Sequence, residues 1–104
     1  LLKSGDHIVA SSSLYGGTYN LLNVTLPRLG ITTTFVDASN PESFGKAVQE
    51  NTRAFFVESL GNPKLDVLDL EAISKEAKEK LFGYSKKYED RSDNLRWMRY
   101  LLIK

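Results

Sequence analysis

Three short runs of aliphatic, β-branched and aromatic residues alternate with helix-length segments between residues 7 and 77, and no other feature of the chain limits its fold so tightly. His7-Ile-Val-Ala10 follows the turn-prone Ser4-Gly5-Asp6 and stops at Ser11-Ser12-Ser13, the length and framing of a buried strand. Ile31-Thr-Thr-Thr-Phe-Val36 has the residue types that suit a pleated, half-buried surface, and Asp37 to Pro41 supplies turn chemistry after it. Ala54-Phe-Phe-Val57 is continuously apolar between Asn51-Thr52-Arg53 and Glu58 to Pro63, as expected of a strand covered on both faces.

The intervening segments read as helices. From Thr18 onward Leu21, Leu22, Val24, Leu26 and Leu29 recur at roughly helical spacing, and Gly30 stands where a helix C-terminus takes a left-handed residue. Pro27 removes one helical hydrogen bond, so this helix is expected to kink or to stop early. Asn40-Pro41-Glu42 supplies an N-cap, a first-turn proline and an acid for the helix dipole, with Phe44, Ala47 and Val48 as the buried stripe of a second helix to about Glu50. Asp69 caps a third helix that buries Leu70, Ile73 and Ala77, while Glu71, Lys75, Glu76, Lys78, Glu79 and Lys80 place opposite charges one turn apart. Strands and helices in this order imply right-handed crossovers, and the fold class is therefore α/β: a three-stranded parallel sheet with flanking helices.

Beyond about residue 80 the chain changes character. Residues 1–74 hold 5 Lys+Arg against 8 Asp+Glu, whereas residues 75–104 hold 9 against 5, so the tail is the basic end. Ser92 or Asp93 suits the cap of a terminal helix burying Leu95, Met98 and Leu102, and a helical tail is the expectation; a strand through Trp97-Met98-Arg99-Tyr100-Leu101 is the alternative. Lys86, Lys87, Arg91, Arg96 and Arg99 interleave with Tyr84, Tyr88, Trp97 and Tyr100, the ingredients of a nucleic-acid surface, but interspersed acids and a net charge of +1 argue against nucleic acid as a partner. A solvated helix face is the commoner source of such a pattern.

Several chemistries are excluded. Without cysteine there is no disulfide or thiolate, and a single histidine builds no His-rich metal site. The apolar runs are too short for a bilayer and no signal-peptide layout opens the chain, so no membrane is involved and a cytoplasmic location is expected. Ser11, Ser12 and Ser13 lack the Gly-x-Ser-x-Gly elbow of a hydrolase, and His7 starts a strand that carries it away from them. Asp66, Asp69 and Glu71 suit a turn and a helix cap better than a catalytic carboxylate pair.

Three motifs in order, Gly5-Asp6-His7-Ile8-Val9, Ser13-Leu14-Tyr15-Gly16-Gly17-Thr18 and Glu58-Ser59-Leu60-Gly61-Asn62-Pro63, resemble the Cys/Met-metabolism family of pyridoxal-phosphate (PLP) enzymes, nearest its O-acetylhomoserine sulfhydrylase-like members. The resemblance covers residues 1 to about 78. It implies part of the large domain of a fold-type I PLP enzyme, with Tyr15 over the cofactor ring, Asn62 near the cofactor and substrate carboxylate, and Glu58 at the sheet edge where α/β proteins bind ligands. A flat aromatic suits a flat pyridine ring, and Gly16 and Gly17 keep side chains out of its way.

The lysine that such enzymes need for a Schiff base has no counterpart by motif after Ala77, nor does the acid that faces the pyridine nitrogen. Lys86 and Lys87 lack any evident preorganisation for the role. The expectation is a non-catalytic fragment or chimera: a PLP-enzyme-like segment over 1–80 joined to an unrelated tail over 81–104 that packs on it, with cofactor-contact residues Tyr15, Glu58 and Asn62 but no cofactor bound by this chain. Open sheet edges and an uncovered face make a homo-oligomer the expected state, and an α/β interaction module that self-associates is the alternative function.

Overall fold

A computed structural model describes residues 2–58, 69–82 and 100–103. Its sheet has the order β2-β1-β3-β4, all parallel: β1 (His7–Ser11), β2 (Thr32–Val36), β3 (Thr52–Val57) and β4 (Tyr100–Ile103). Helices α1 (Gly16–Asn20), α2 (Glu42–Lys46) and α3 (Leu70–Glu76) supply the crossovers. The winding moves outward from β1 to β2 and then reverses through β3 to β4, which leaves a crevice between the C-terminal ends of β1 and β3.

Alternation along the strands builds a core on each face. Val9, Phe55 and Val57 face α2 and α3, where they pack with Phe44, Ile73, Ala77 and Leu81, and the Phe44 and Phe55 rings meet at 5.2 Å. Ile8 and Ala10 point the other way, into a smaller cluster with Leu14, Leu22 and Ile31 under α1. Leu81 is fully buried, so the α/β core reaches past the third helix's first two turns to the start of the basic tail.

The three-stranded parallel sheet and its flanking helices match the sequence expectation, while three segments differ from it in detail. Helix α1 starts earlier than Thr18, at Gly16, then widens into a π turn at Leu21–Thr25 and tightens into a 3₁₀ turn at Leu26–Leu29. Pro27 is the cause, because it has no N–H to continue the α pattern; the Leu26 N–H reaches back five residues to the Leu21 carbonyl. Gly30, at φ 82°, ends the segment in a left-handed cap with Ile31 N–H donating to the Leu26 carbonyl and Gly30 N–H to that of Pro27. Helix α2 stops at Lys46 rather than near Glu50, because the Gln49 N–H donates to Thr52 Oγ1 (2.7 Å) instead of to a helical carbonyl.

The third difference is in the tail. Tyr100–Ile103 forms a strand, not the expected helix, with Ala54 to Val57 opposite Tyr100 to Ile103. An apolar run of four residues fits either geometry, and the open backbone edge of β3 favours the strand, since its donors and acceptors need partners. The proposed cap at Ser92 or Asp93, and Leu95, Trp97, Met98 and most of the basic and aromatic cluster, lie outside the described residues.

Candidate functional site

Ser11 ends β1 inside the protein, and the chain then turns through Ser12, Ser13 and Leu14 into α1. Ser11 Oγ accepts from the Ser13 N–H at 3.1 Å, which folds that turn tightly over the strand end. Leu14 is buried and pins the turn, so that Tyr15 emerges at the crevice with 65% of its surface exposed. Tyr15 holds extended backbone angles, φ −59° and ψ 145°, as the N-cap of α1, and its carbonyl accepts from the Tyr19 N–H.

Across the crevice, β3 delivers Glu58. This carboxylate is 7% exposed, and its Oε1 accepts from the Tyr15 N–H at 2.7 Å. Two of the three residues predicted to contact a cofactor, Tyr15 and Glu58, are thus brought together, although they are 43 residues apart in the chain. The bond engages Tyr15 through its backbone and leaves the ring free. Asn62 lies outside the described residues.

Gly16 and Gly17 sit at negative φ, so the backbone does not require glycine at either place. Neither does packing: a Cβ on Gly16 meets nothing within 4 Å, and one on Gly17 only grazes the Tyr15 ring at 4.0 Å. Among the described residues, then, no side chain but that of Tyr15 comes within 4 Å of these two positions, and the exposed Tyr15 ring offers a flat apolar face beside them.

No lysine among the described residues lies at this edge. Lys3 precedes β1 and Lys46 ends α2, both at the opposite end of the sheet, and Lys75, Lys78 and Lys80 lie along the chain that descends from the start of α3. No group of three or more His, Asp or Glu is arranged for a metal ion among the described residues, and no helix there is long and apolar enough to cross a membrane.

The sole histidine is at the other end of β1 from the serines. His7 is buried between two strands, with Nδ1 2.7 Å from Thr52 Oγ1 and Nε2 2.8 Å from Thr34 Oγ1. Burial pushes its pKa below the ordinary histidine value of 6.5. Sequence reasoning placed His7 at the start of a buried strand but gave its ring no partner; Thr52, opposite it on β3, and Thr34, two places beyond its partner on β2, are the signal that a register argument could have used. Asp69 Oδ1 accepts from the Ala72 N–H at 3.0 Å, the cap that its place in the sequence implies.

Comparison with known proteins bears on the whole segment. A family model for Cys/Met metabolism PLP-dependent enzymes matches residues 1–83. The chain is 63% identical over 79 residues to an O-acetyl-L-homoserine sulfhydrylase from Leptospira meyeri and 56% identical over 77 residues to a homocysteine synthase from Schizosaccharomyces pombe. These matches cover 76% and 74% of this chain but only 18% of each relative. Among solved structures, O-acetylhomoserine sulfhydrylase from Wolinella succinogenes superposes with a TM-score of 0.72 at 40% identity, over 77% of this chain and 23% of that one.

Proposed function

The chain belongs to the Cys/Met metabolism PLP-dependent enzyme family, and from that premise we propose that it carries the ring-stacking wall of a PLP site from an O-acetylhomoserine sulfhydrylase-like transferase and is not catalytic as the 104-residue chain alone. The observation that carries this reading is Tyr15, exposed at the β1–β3 switch point beside open ground at Gly16 and Gly17. When bound, PLP supplies an electron sink for chemistry at a substrate carbon. Tyr15 would hold the ring face, Glu58 would fix Tyr15, and the Ser11–Ser13 turn would keep the strand end closed beneath them. Asn62, by the resemblance of its motif, would contact the cofactor and the substrate carboxylate.

Two experiments test the reading. In the first, the matching segment of the Leptospira meyeri sulfhydrylase is replaced by this chain's residues, and acetate release from O-acetylhomoserine with sulfide is followed. Turnover and a visible cofactor band are expected, and both should be lost with Tyr15→Ala; a transplant that binds no cofactor would sink the proposal. In the second, the chain alone is titrated with PLP, reduced with borohydride and mapped. Weak, scattered labelling is expected, whereas saturable labelling of one lysine would overturn the non-catalytic half.

For residues 81–104 we propose a structural part: completing the sheet. The parallel register of β4 on β3 favours it. Removing residues 100–104 should bare the β3 edge and cause aggregation visible by light scattering. A monodisperse truncation of unchanged stability would count against this role.

A further inference from the structure

Helix α1 begins without the usual devices. Tyr15 has no side-chain acceptor to cap the first turn, no acid lies in that turn, and Gly16 and Gly17 contribute no side-chain hydrogen bond. In a capping box, a glutamate at the third helical residue reaches back to accept the N-cap N–H. That place is held here by Thr18, which is buried. The acceptor arrives instead from β3: Glu58 Oε1 takes the Tyr15 N–H at 2.7 Å. A carboxylate in this place also opposes the positive end of the helix dipole.

We propose that Glu58 is a positioning residue, a helix cap supplied in trans, which fixes the Tyr15 backbone and through it the pose of the ring that faces the cofactor. The inference rests on the function proposed above. Three observations bear on it: the short bond, the burial of Glu58 at 7% exposure beside a Tyr15 that is 65% exposed, and the lack of a local cap. One end of the link is anchored in the core and the other carries the working surface. A displacement of about 1 Å in a positioning group can cost on the order of 10²-fold in rate, so the link matters more to turnover than to folding. Since the anchor is a carboxylate, the start of α1 is also already occupied by negative charge, which disfavours a cofactor phosphate there.

Two readouts on Glu58→Ala and Glu58→Gln separate the possibilities. In the 104-residue chain, the Tyr15 amide proton should lie far downfield by NMR, shift upfield in E58A with roughly 10-fold faster hydrogen exchange, and largely recover in E58Q, whose amide oxygen still accepts. An amide indifferent to E58A overturns the cap itself. In the transplanted sulfhydrylase, E58A should lower kcat by about 10- to 100-fold with a smaller change in KM, and should alter the circular dichroism of the cofactor band, again with recovery in E58Q. An amide that responds while the band and kcat do not would make Glu58 a purely structural cap and refute the positioning role. A wild-type transplant with no cofactor band would refute the functional reading on which the role depends, whatever the amide does.

Discussion

Replacing Thr52 with valine should cost the chain about 2–4 kcal/mol and flatten its response to mild acid. Thr52 is fully buried, and its hydroxyl serves two partners: it accepts the Gln49 N–H and meets His7 Nδ1, each at 2.7 Å. The Thr52 hydroxyl has one proton, and among its hydrogen-bond partners in the described residues only Nδ1 can accept it; this selects the tautomer in which the neutral imidazole keeps its own proton on Nε2, facing Thr34 Oγ1. Valine keeps the shape and drops both bonds. A buried polar group left unpaired costs about 1–3 kcal/mol, and the Gln49 amide, which belongs to an exposed residue, should fall at the low end of that range. The loss is a large share of the roughly 5–15 kcal/mol expected of a domain this size, and urea denaturation should show it as a midpoint lower by about 1–3 M.

The acid limb follows from the same geometry. Burial holds the His7 pKa below 6.5 in the folded chain, so below that pH the unfolded chain binds the extra proton and the folded chain resists it. The contribution of His7 to stability is thus complete above the unfolded value and is lost as pH falls from there toward the folded one. Protonation would also force Nδ1 to donate to Thr52, whose own hydroxyl proton would then have no acceptor. Without that hydroxyl the neutral ring loses a bond, the folded pKa moves back toward 6.5, and the pH window narrows. Denaturation at several pH values between 5 and 7.5 isolates the effect, because the chain has only one histidine. A Thr52→Val loss below about 0.5 kcal/mol, or an acid limb as steep as that of the unmodified chain, would refute the argument.

Phe44→Ala removes a fully buried ring that meets Phe55 at a tilt, and should cost about 3–5 kcal/mol in thermal or urea unfolding, enough to unfold much of the population at 37 °C. Asp69→Ala deletes the cap of α3 and should cost about 1 kcal/mol, read as a lower melting temperature with unchanged circular dichroism at 20 °C. Tyr19, Leu21, Val24 and Leu29 expose an apolar strip along α1 and its continuation, so sedimentation should show concentration-dependent self-association that Leu21→Lys with Val24→Lys weakens; a strict monomer at high concentration would remove the oligomer from consideration.

Much of this fold was legible because its signals are local. The three β-rich runs each became a strand, Gly30 became the left-handed cap and Asp69 became the N-cap of α3. Less legible was anything settled by a partner distant in sequence. The shortening of α2 depends on Thr52 competing for the Gln49 amide, and the strand at Tyr100–Ile103 depends on a free edge of β3 that composition does not announce. At the candidate site, Tyr15 and Glu58 were singled out through their motifs, yet the bond between them was not, since nothing in either motif says that a carboxylate would seek a backbone N–H on another element. The helical spacing of Leu21, Val24 and Leu29 likewise predicted burial that only Leu22 in that stretch attains.

Where β3 passes β1, the pairing jumps from His7–Thr52 to Ile8–Ala54, so Arg53 is one residue more than the partner strand has to match. That surplus works as a spacer: it lets Thr52 and Phe55, three apart in sequence, stand opposite His7 and Val9 on one face of the sheet. Delete it and the strand pairs one to one, with Thr52 still opposite His7 and Ala54 still opposite Ile8, so Phe55, Val57 and Glu58 keep their faces. What the extra residue adds is an outlet for a charge, since it places the Arg53 guanidinium 3.9 Å from the Asp6 carboxylate. Removing Arg53 should therefore cost that ion pair and the local bend while leaving Glu58 against Tyr15.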